Sequence, residues 1–205
     1  MSDNKILGVI LAGGKARRMG GGDKTLIEVV GQSLLQHVID RQNQGLDHLI
    51  INAHGDPARF AQFNLPVVPD SIEGHLGPLA GVLTAMDYAA EHVPECTWVL
   101  SLPGDTPFMP KALGPVLLDA IQGAGGELAC AQSAGRNHPV VGLWPVRLRA
   151  DLAAALNGGM RKIDRWTANY SLIAVPFSDQ PFDPFFNINT PEDHAQAESI
   201  AATLT

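Results

Sequence analysis

Cysteine, aromatic side chains and long apolar runs are scarce in this 205-residue chain, and each scarcity removes a class of protein. There are two cysteines, Cys96 and Cys130, in neither metal-ligand nor C-x-x-C spacing, so they read as reduced, buried thiols rather than a disulfide framework or a zinc site. The longest apolar run near the start, "ILGVILA", is too short for a membrane span. "MSDNK" lacks the layout of a secretory signal, so a cytoplasmic protein is expected, with no membrane partner. Positive charge is also short: 14 Lys and Arg stand against 21 Asp and Glu, a formal net charge of −7. That balance speaks against general nucleic-acid binding, which rests on neutralising many phosphates. Familiar catalytic loops are missing too. Asp23 separates Gly22 from Lys24, which breaks the P-loop pattern, and Lys15 and Met19 break the dinucleotide fingerprint. Without a G-x-S-x-G elbow, a Ser-His-Asp hydrolase of that kind has no support.

What is present is concentrated at one place. "GVILAGGKARRMGGGDKT" (8–25) carries six glycines and four of the fourteen basic residues behind an apolar run. Gly13, Gly14, Gly20, Gly21 and Gly22 let backbone N–H groups approach an anion. Arg17 and Arg18 add fork-like donors, and Lys24 adds a mobile point charge. An acidic chain with one basic glycine loop suits a small anionic ligand.

Short β-branched runs alternate with segments of helical period. Strands are expected at 5–12, 48–53, 65–70, 97–105, 127–132, 139–146 and 171–177. Helices are expected at 33–44, 57–63, 78–93, 110–122, 147–156 and 161–168, with a last one from Thr190. This alternation predicts a mostly parallel sheet with helices on both faces, a three-layer Rossmann-like α/β fold. With no linker or repeat in view, residues 1–205 read as one domain, its less regular second half a mixed part of the same sheet.

In such sheets ligands bind beyond the carboxyl ends of the strands. That rule selects the glycine loop, Asn52, Asp70 and Asp105. Asp105, in "SLPGDTPFMP", suits Mg²⁺, which takes carboxylate oxygen together with substrate phosphates, or else caps a turn before Pro107. Beside a phosphate loop the metal reading is preferred. Asp70 is either an acceptor for ribose or guanine donors or a turn residue, and Asn52 either a nucleoside contact or a strand-end side chain. Of seven histidines, His138 in "GRNHPVV" stands out, placed in a loop just before a strand. An NAD-dependent dehydrogenase is excluded by the broken fingerprint and by Asn52 where an acid is expected.

Taken together, "LAGGKARRMGGGDKTL", "DSIEGHLGPLAGVLTAM" (70–86), "LPGDTPFMP" (102–110), "RNHPVVGL" (136–143) and "FNINTPED" (186–193) resemble the molybdenum cofactor guanylyltransferase family, within the nucleotidyltransferase superfamily. The resemblance runs from Leu11 to about Asp193. It implies the nucleotidyltransferase fold and transfer of GMP from GTP to molybdopterin, metal-loaded or free, with Mg²⁺ as cofactor. By matching position it implies that Leu11, Ala12, Gly13, Gly14, Lys24, Asn52, Asp70 and Asp105 contact GTP, Asp105 also holding the metal. Lys24, Asp105 and Arg18 would be catalytic, while Arg136, His138, Asn187 and Asn189 would serve the molybdopterin side. Transient contact with other cofactor-biosynthesis or molybdoenzyme-maturation proteins is implied as well. The alternatives are cytidylyl transfer to molybdopterin, nucleotidyl transfer to another small phosphorylated acceptor, and a non-catalytic nucleotide-binding module. The role of Asp23 stays open between a salt bridge to an arginine and direct catalysis.

Overall fold

The computed structural model describes residues 4–13, 22–72 and 77–204. The chain begins with β1 (Lys5–Leu11), a 3-10 turn (Lys24–Leu26) and a small ribbon of β2 (Glu28–Val29) and β3 (Gln32–Ser33). There follow α1 (Leu34–Gln42), β4 (His48–Asn52), a 3-10 segment (Pro57–Phe63), β5 (Val67–Val68) and α2 (Pro78–His92). Next come β6 (Cys96–Pro103), α3 (Leu113–Ala124), β7 (Leu128–Ser133) and β8 (Arg136–Pro145). The last elements are α4 (Arg149–Asn157), α5 (Ile163–Thr167), β9 (Leu172–Pro176) and α6 (Pro191–Leu204).

Seven strands form one sheet in the order β5-β4-β1-β6-β8-β7-β9. β8 runs antiparallel to both β6 and β7, and the other pairings are parallel. The expected mixed second half is therefore this one reversed strand. From β1 the chain moves outward to β4 and β5, and α2 then carries it back to β6 on the opposite side of β1. The reversal opens a crevice above the carboxyl end of β1, where open α/β sheets hold their ligands.

Alternation along β1 builds the layers. Ile6 and Ile10 face a core that includes Leu35 and Val38 of α1 and Leu113 and Leu117 of α3. Leu7 and Val9 face the opposite core, with Leu83 and Met86 of α2, Leu152 of α4 and Trp166 of α5. A third cluster packs Ile200 and Ala201 of α6 against Val29, Leu34 and Phe108.

Local chemistry explains where elements start. Ser33 caps α1 by accepting from Gln36 N at 3.2 Å. The helix expected over 110–122 begins later, at Leu113, after Ala112 in the left-handed region. Pro115 thus falls in its first turn, where a missing N–H breaks no helical bond. The ribbon at 28–33 has no counterpart among the expected strands. Two residues a side give no readable alternation, and Val30 and Gly31 supply its tight turn with φ of 51° and 71°. His138 lies inside β8, not in a loop before it, because the strand starts at Arg136.

Candidate active site

β1, β4 and β6 end level with one another, Leu11 pairing with Asn52 on one side and Pro103 on the other. Beyond them lies a cleft of about 450 Å³. Gly13, Lys24, Asn52, Asp70, Asp105 and Asn187 are among the side chains and backbone that line it. Leu11 contributes to the wall, and Ala12 is buried behind it, its N–H bonded to the Asn52 carbonyl at 2.9 Å. Gly14 and Arg18 lie outside the described residues, so their expected contacts have no geometry here.

At one end of the cleft Lys24 is 8% exposed, an unusual setting for an ammonium unless it is paired. Its Nζ donates to Asp105 Oδ2 at 2.5 Å and to Asn189 Oδ1 at 2.6 Å. Three independent devices hold this group. Gly104 lets the turn before Asp105 close on the 24–25 segment, since a Cβ there would lie 2.6 Å from Thr25 Cγ2 and 3.2 Å from the Leu11 carbonyl. Thr106 Oγ1 donates to Asn187 Oδ1 at 2.5 Å, and Ile188 N–H donates to the Asp105 carbonyl at 3.1 Å, joining β6 to the "FNINT" segment. The third device is a reciprocal capping box on α6. Asp193 accepts from Thr190 N at 2.9 Å while Thr190 Oγ1 accepts from Asp193 N at 3.2 Å. Asp193 also accepts from Asn189 N at 2.7 Å, which fixes the residue that meets Lys24.

At the other end Asn52 and Asp70 meet. Asn52 Nδ2 donates to Asp70 Oδ1 at 2.9 Å and to the Val68 carbonyl at 3.1 Å. His54 Nε2 contacts the second oxygen, Oδ2, at 2.9 Å. Ser71, the next residue, donates its N–H to Thr84 Oγ1 of α2 at 2.9 Å and its hydroxyl to Asp87 at 2.7 Å. Asp87 in turn pairs with Arg149 of α4 at 3.1 Å. Asp70 is therefore braced from three elements rather than held by a turn alone.

The four residues expected on the molybdopterin side separate. Asn187 lines the cleft and Asn189 reaches it through Lys24, whereas Arg136 is exposed at the β7–β8 turn. His138 is half-buried in a relay of its own. Ser133 Oγ donates to Asp183 Oδ1 at 2.8 Å and sits 2.7 Å from His138 Nε2, which makes Nε2 the protonated nitrogen of that contact. Burial pushes the His138 pKa down, against the opposing pull of Asp183. The ring packs on Phe185 with centroids 4.9 Å apart. His54, Arg59 and Thr106, all in or beside this machinery, were not selected by sequence reasoning. His54 carried a usable signal, since it lies two residues past a strand end.

Among the described residues no group of three His, Cys, Asp or Glu could hold a metal unaided. The donor set is one carboxylate, Asp105, near the amide oxygens of Asn187 and Asn189. Such a set fits a hard cation that completes its shell with substrate phosphates and water, as Mg²⁺ does.

Residues 8–171 match the family model of the MobA-like NTP transferase domain. A molybdenum cofactor guanylyltransferase of Rhodopseudomonas palustris (strain BisB5) is 55% identical over 94% of this chain and 92% of its own. One from Bradyrhizobium sp. (strain ORS 278) is 50% identical over 96% of this chain and 93% of its own. Among solved structures, molybdopterin-guanine dinucleotide biosynthesis protein A from Archaeoglobus fulgidus superposes with a TM-score of 0.75 at 20% identity, covering 96% of this chain and 99% of that one. The mostly parallel sheet flanked by helices is shared with it.

Proposed function

Because the chain belongs to the MobA-like NTP transferase domain family, it is a nucleotidyltransferase, and we propose that it transfers GMP from GTP to the terminal phosphate of molybdopterin. The products are pyrophosphate and molybdopterin guanine dinucleotide, in molybdenum cofactor biosynthesis. The relatives' shared name supports the reaction. The observation that carries it in this chain is the Lys24–Asp105 pair, 2.5 Å apart at the crevice above β1.

A phosphate monoester has its second pKa near about 6, so the acceptor is already largely a dianion at neutral pH. No strong general base is required. The difficulty is repulsion between two anions and the charge that accumulates on the departing pyrophosphate. Lys24 has three N–H donors and commits two of them, to Asp105 and Asn189, which leaves the third to meet a phosphate oxygen. Held in place before the reaction, its charge stabilises the leaving group without reorganisation. Backbone N–H groups of the glycine loop, including Gly13 and Gly14, and the Arg18 guanidinium are proposed to grip the β- and γ-phosphates. Asn52 and Asp70 are proposed to hold the nucleoside, and Asn187 and Asn189 to face the acceptor, with Arg136 and His138 further out.

A divalent metal, most simply Mg²⁺, is proposed to be held by Asp105 and the substrate phosphates, where it would withdraw charge from the oxygens it shares. Asp105 also orients Lys24, and the two asparagines keep the reacting phosphates from drifting toward the open side of the cleft. The proposed setting is the cytoplasm, with brief contacts to other cofactor-biosynthesis and molybdoenzyme-maturation proteins. Among the described residues no helix is long and apolar enough to cross a membrane.

Incubation with molybdopterin, Mg²⁺ and either GTP or CTP tests the reading. Pyrophosphate and a guanine dinucleotide are expected with GTP, and little product with CTP. Product with CTP alone would reassign the nucleotide while leaving the reaction class intact, and product with neither would remove the reaction.

A further inference from the structure

Asp23 immediately precedes Lys24 and caps the 3-10 turn that carries it, its carbonyl accepting from Leu26 N at 3.1 Å. Its carboxylate Oδ2 lies 2.5 Å from Nε of Arg59, at an angle that makes the contact an ion pair rather than a hydrogen bond. Arg59 belongs to the 3-10 segment Pro57–Phe63, which follows β4. The rest of its guanidinium is also committed. Nη1 donates to the Asp56 carbonyl at 2.8 Å, and Nη2 donates to the carbonyl of His54. The guanidinium carbon stands 4.6 Å from the centre of the Phe60 ring, a fully buried side chain. The backbone makes room for this arrangement at Gly55. Its φ is +83°, and a Cβ there would come within 3.0 Å of Nη1.

One side chain therefore contacts residues beside both ends of the cleft. Through Asp23 it fixes the residue next to Lys24. Through the His54 carbonyl it fixes the backbone of the residue whose ring contacts Asp70 at 2.9 Å. We propose that Arg59 is a positioning residue that sets the distance between the phosphate-binding end and the nucleoside-binding end, with Asp23 as its arm to Lys24. The proposal rests on the roles given above to Lys24 and Asp70. It requires the two arms to be separable: Asp23 serves only the phosphate end, whereas Arg59 serves both.

The arms can be read by comparing GTP with GMP, which lacks the β- and γ-phosphates. Calorimetric affinities for both nucleotides, with Mg²⁺ present, are measured for the wild type, Asp23→Asn, Arg59→Met and Arg59→Lys, alongside their melting temperatures. Asp23→Asn keeps the shape and removes the charge. It is expected to weaken GTP about tenfold, or about 1.4 kcal/mol, with GMP nearly unchanged. Arg59→Met is expected to weaken both nucleotides, and Arg59→Lys to recover part of the GTP loss through its charge. If Arg59→Met does not fold, the selectivity of Asp23→Asn decides alone. Equal loss of GTP and GMP in Asp23→Asn, or no loss of either, overturns the proposal. A wild type that binds GTP no tighter than GMP overturns the phosphate role of Lys24 and the proposal with it. A wild-type preference for GTP that survives in every variant overturns the proposal alone.

Discussion

Lys24 and Asp105 form an ion pair at 2.5 Å, so replacing either changes the surroundings of both. Asp105→Ala removes the carboxylate that pairs with Lys24 and frees Lys24 from that constraint. Loss of turnover on the order of 10²–10³ is expected, the scale of deleting a preorganised electrostatic group. Added Mg²⁺ should not restore it, and near-normal turnover would refute the metal role. Lys24→Ala should weaken GTP binding and reduce turnover by more, because its charge meets the bound phosphates and acts more strongly as the pyrophosphate departs; equal losses in kcat and affinity would argue for simple binding. At this scale the sequence was readable where a polar residue ends an apolar run, as with Asn52, Asp70 and Asp105. It was unreadable where a side chain meets a partner far away in the chain. Nothing next to Arg59 in the chain announces Asp23, and Thr106 reads as one more turn residue until Asn187 is beside it.

At the scale of elements, α2 is both a wall of the core and a brace for the site. Gly81, in its second turn, lies against the ends of β1 and β4. A Cβ there would stand 2.4 Å from Leu11 Cδ2 and 2.5 Å from Asn52 Oδ1. Leu11 can rotate away, but Asn52 cannot move without giving up its bonds to Asp70 and Val68. Gly81→Ala should therefore cost roughly 1–3 kcal/mol in overpacking, partly offset by better helix propensity. Nucleotide affinity should fall more than stability does. A variant with a lowered melting temperature and unchanged GTP affinity would place the strain elsewhere. The helix itself was legible from its apolar period and from Pro78 at its start, yet its glycine gave no hint of being a close-approach position. The helix cap at Thr190 is a similar case. Its T-x-x-D spacing fits a helix start, but only the fold shows that the same Asp193 also sets Asn189.

At the scale of the whole molecule, the sheet order follows from rules about parallel connections only as far as β6. The reversed strand β8 obeys none of them, because a hairpin from β7 inserts it between β6 and β7. The alternation of strands and helices already indicated the three-layer α/β class, and the family resemblance, confirmed by the 8–171 match, agrees with it. Cys96, at the start of β6, and Cys130, within β7, sample the two halves of this sheet. Burial is the largest cause that pushes both thiols up to about 11, so both remain protonated at neutral pH. In the native protein neither should react rapidly with a disulfide reagent. In rising urea both should become reactive together, tracking the loss of circular dichroism. A fast stoichiometric thiol in native buffer, or two separate urea midpoints, would show that one half opens on its own.

The reversal at β8 has one more consequence. On one side of it β5, β4, β1 and β6 form a continuous parallel set, with Leu11 and Asn52 ending β1 and β4 and Asp105 just past β6, where a shift in any strand disturbs its neighbours' loops. On the other side, the β7–β8 hairpin and β9 form a border that two links tie to the first set: α3, which crosses from β6 to β7, and the 187–189 segment, bonded to Thr106 and to the Asp105 carbonyl. The chain therefore passes Asp105 on its way from one half of the sheet to the other. A change in the border is felt at the cleft through that crossing, so Asp105 stands where the two halves answer to each other.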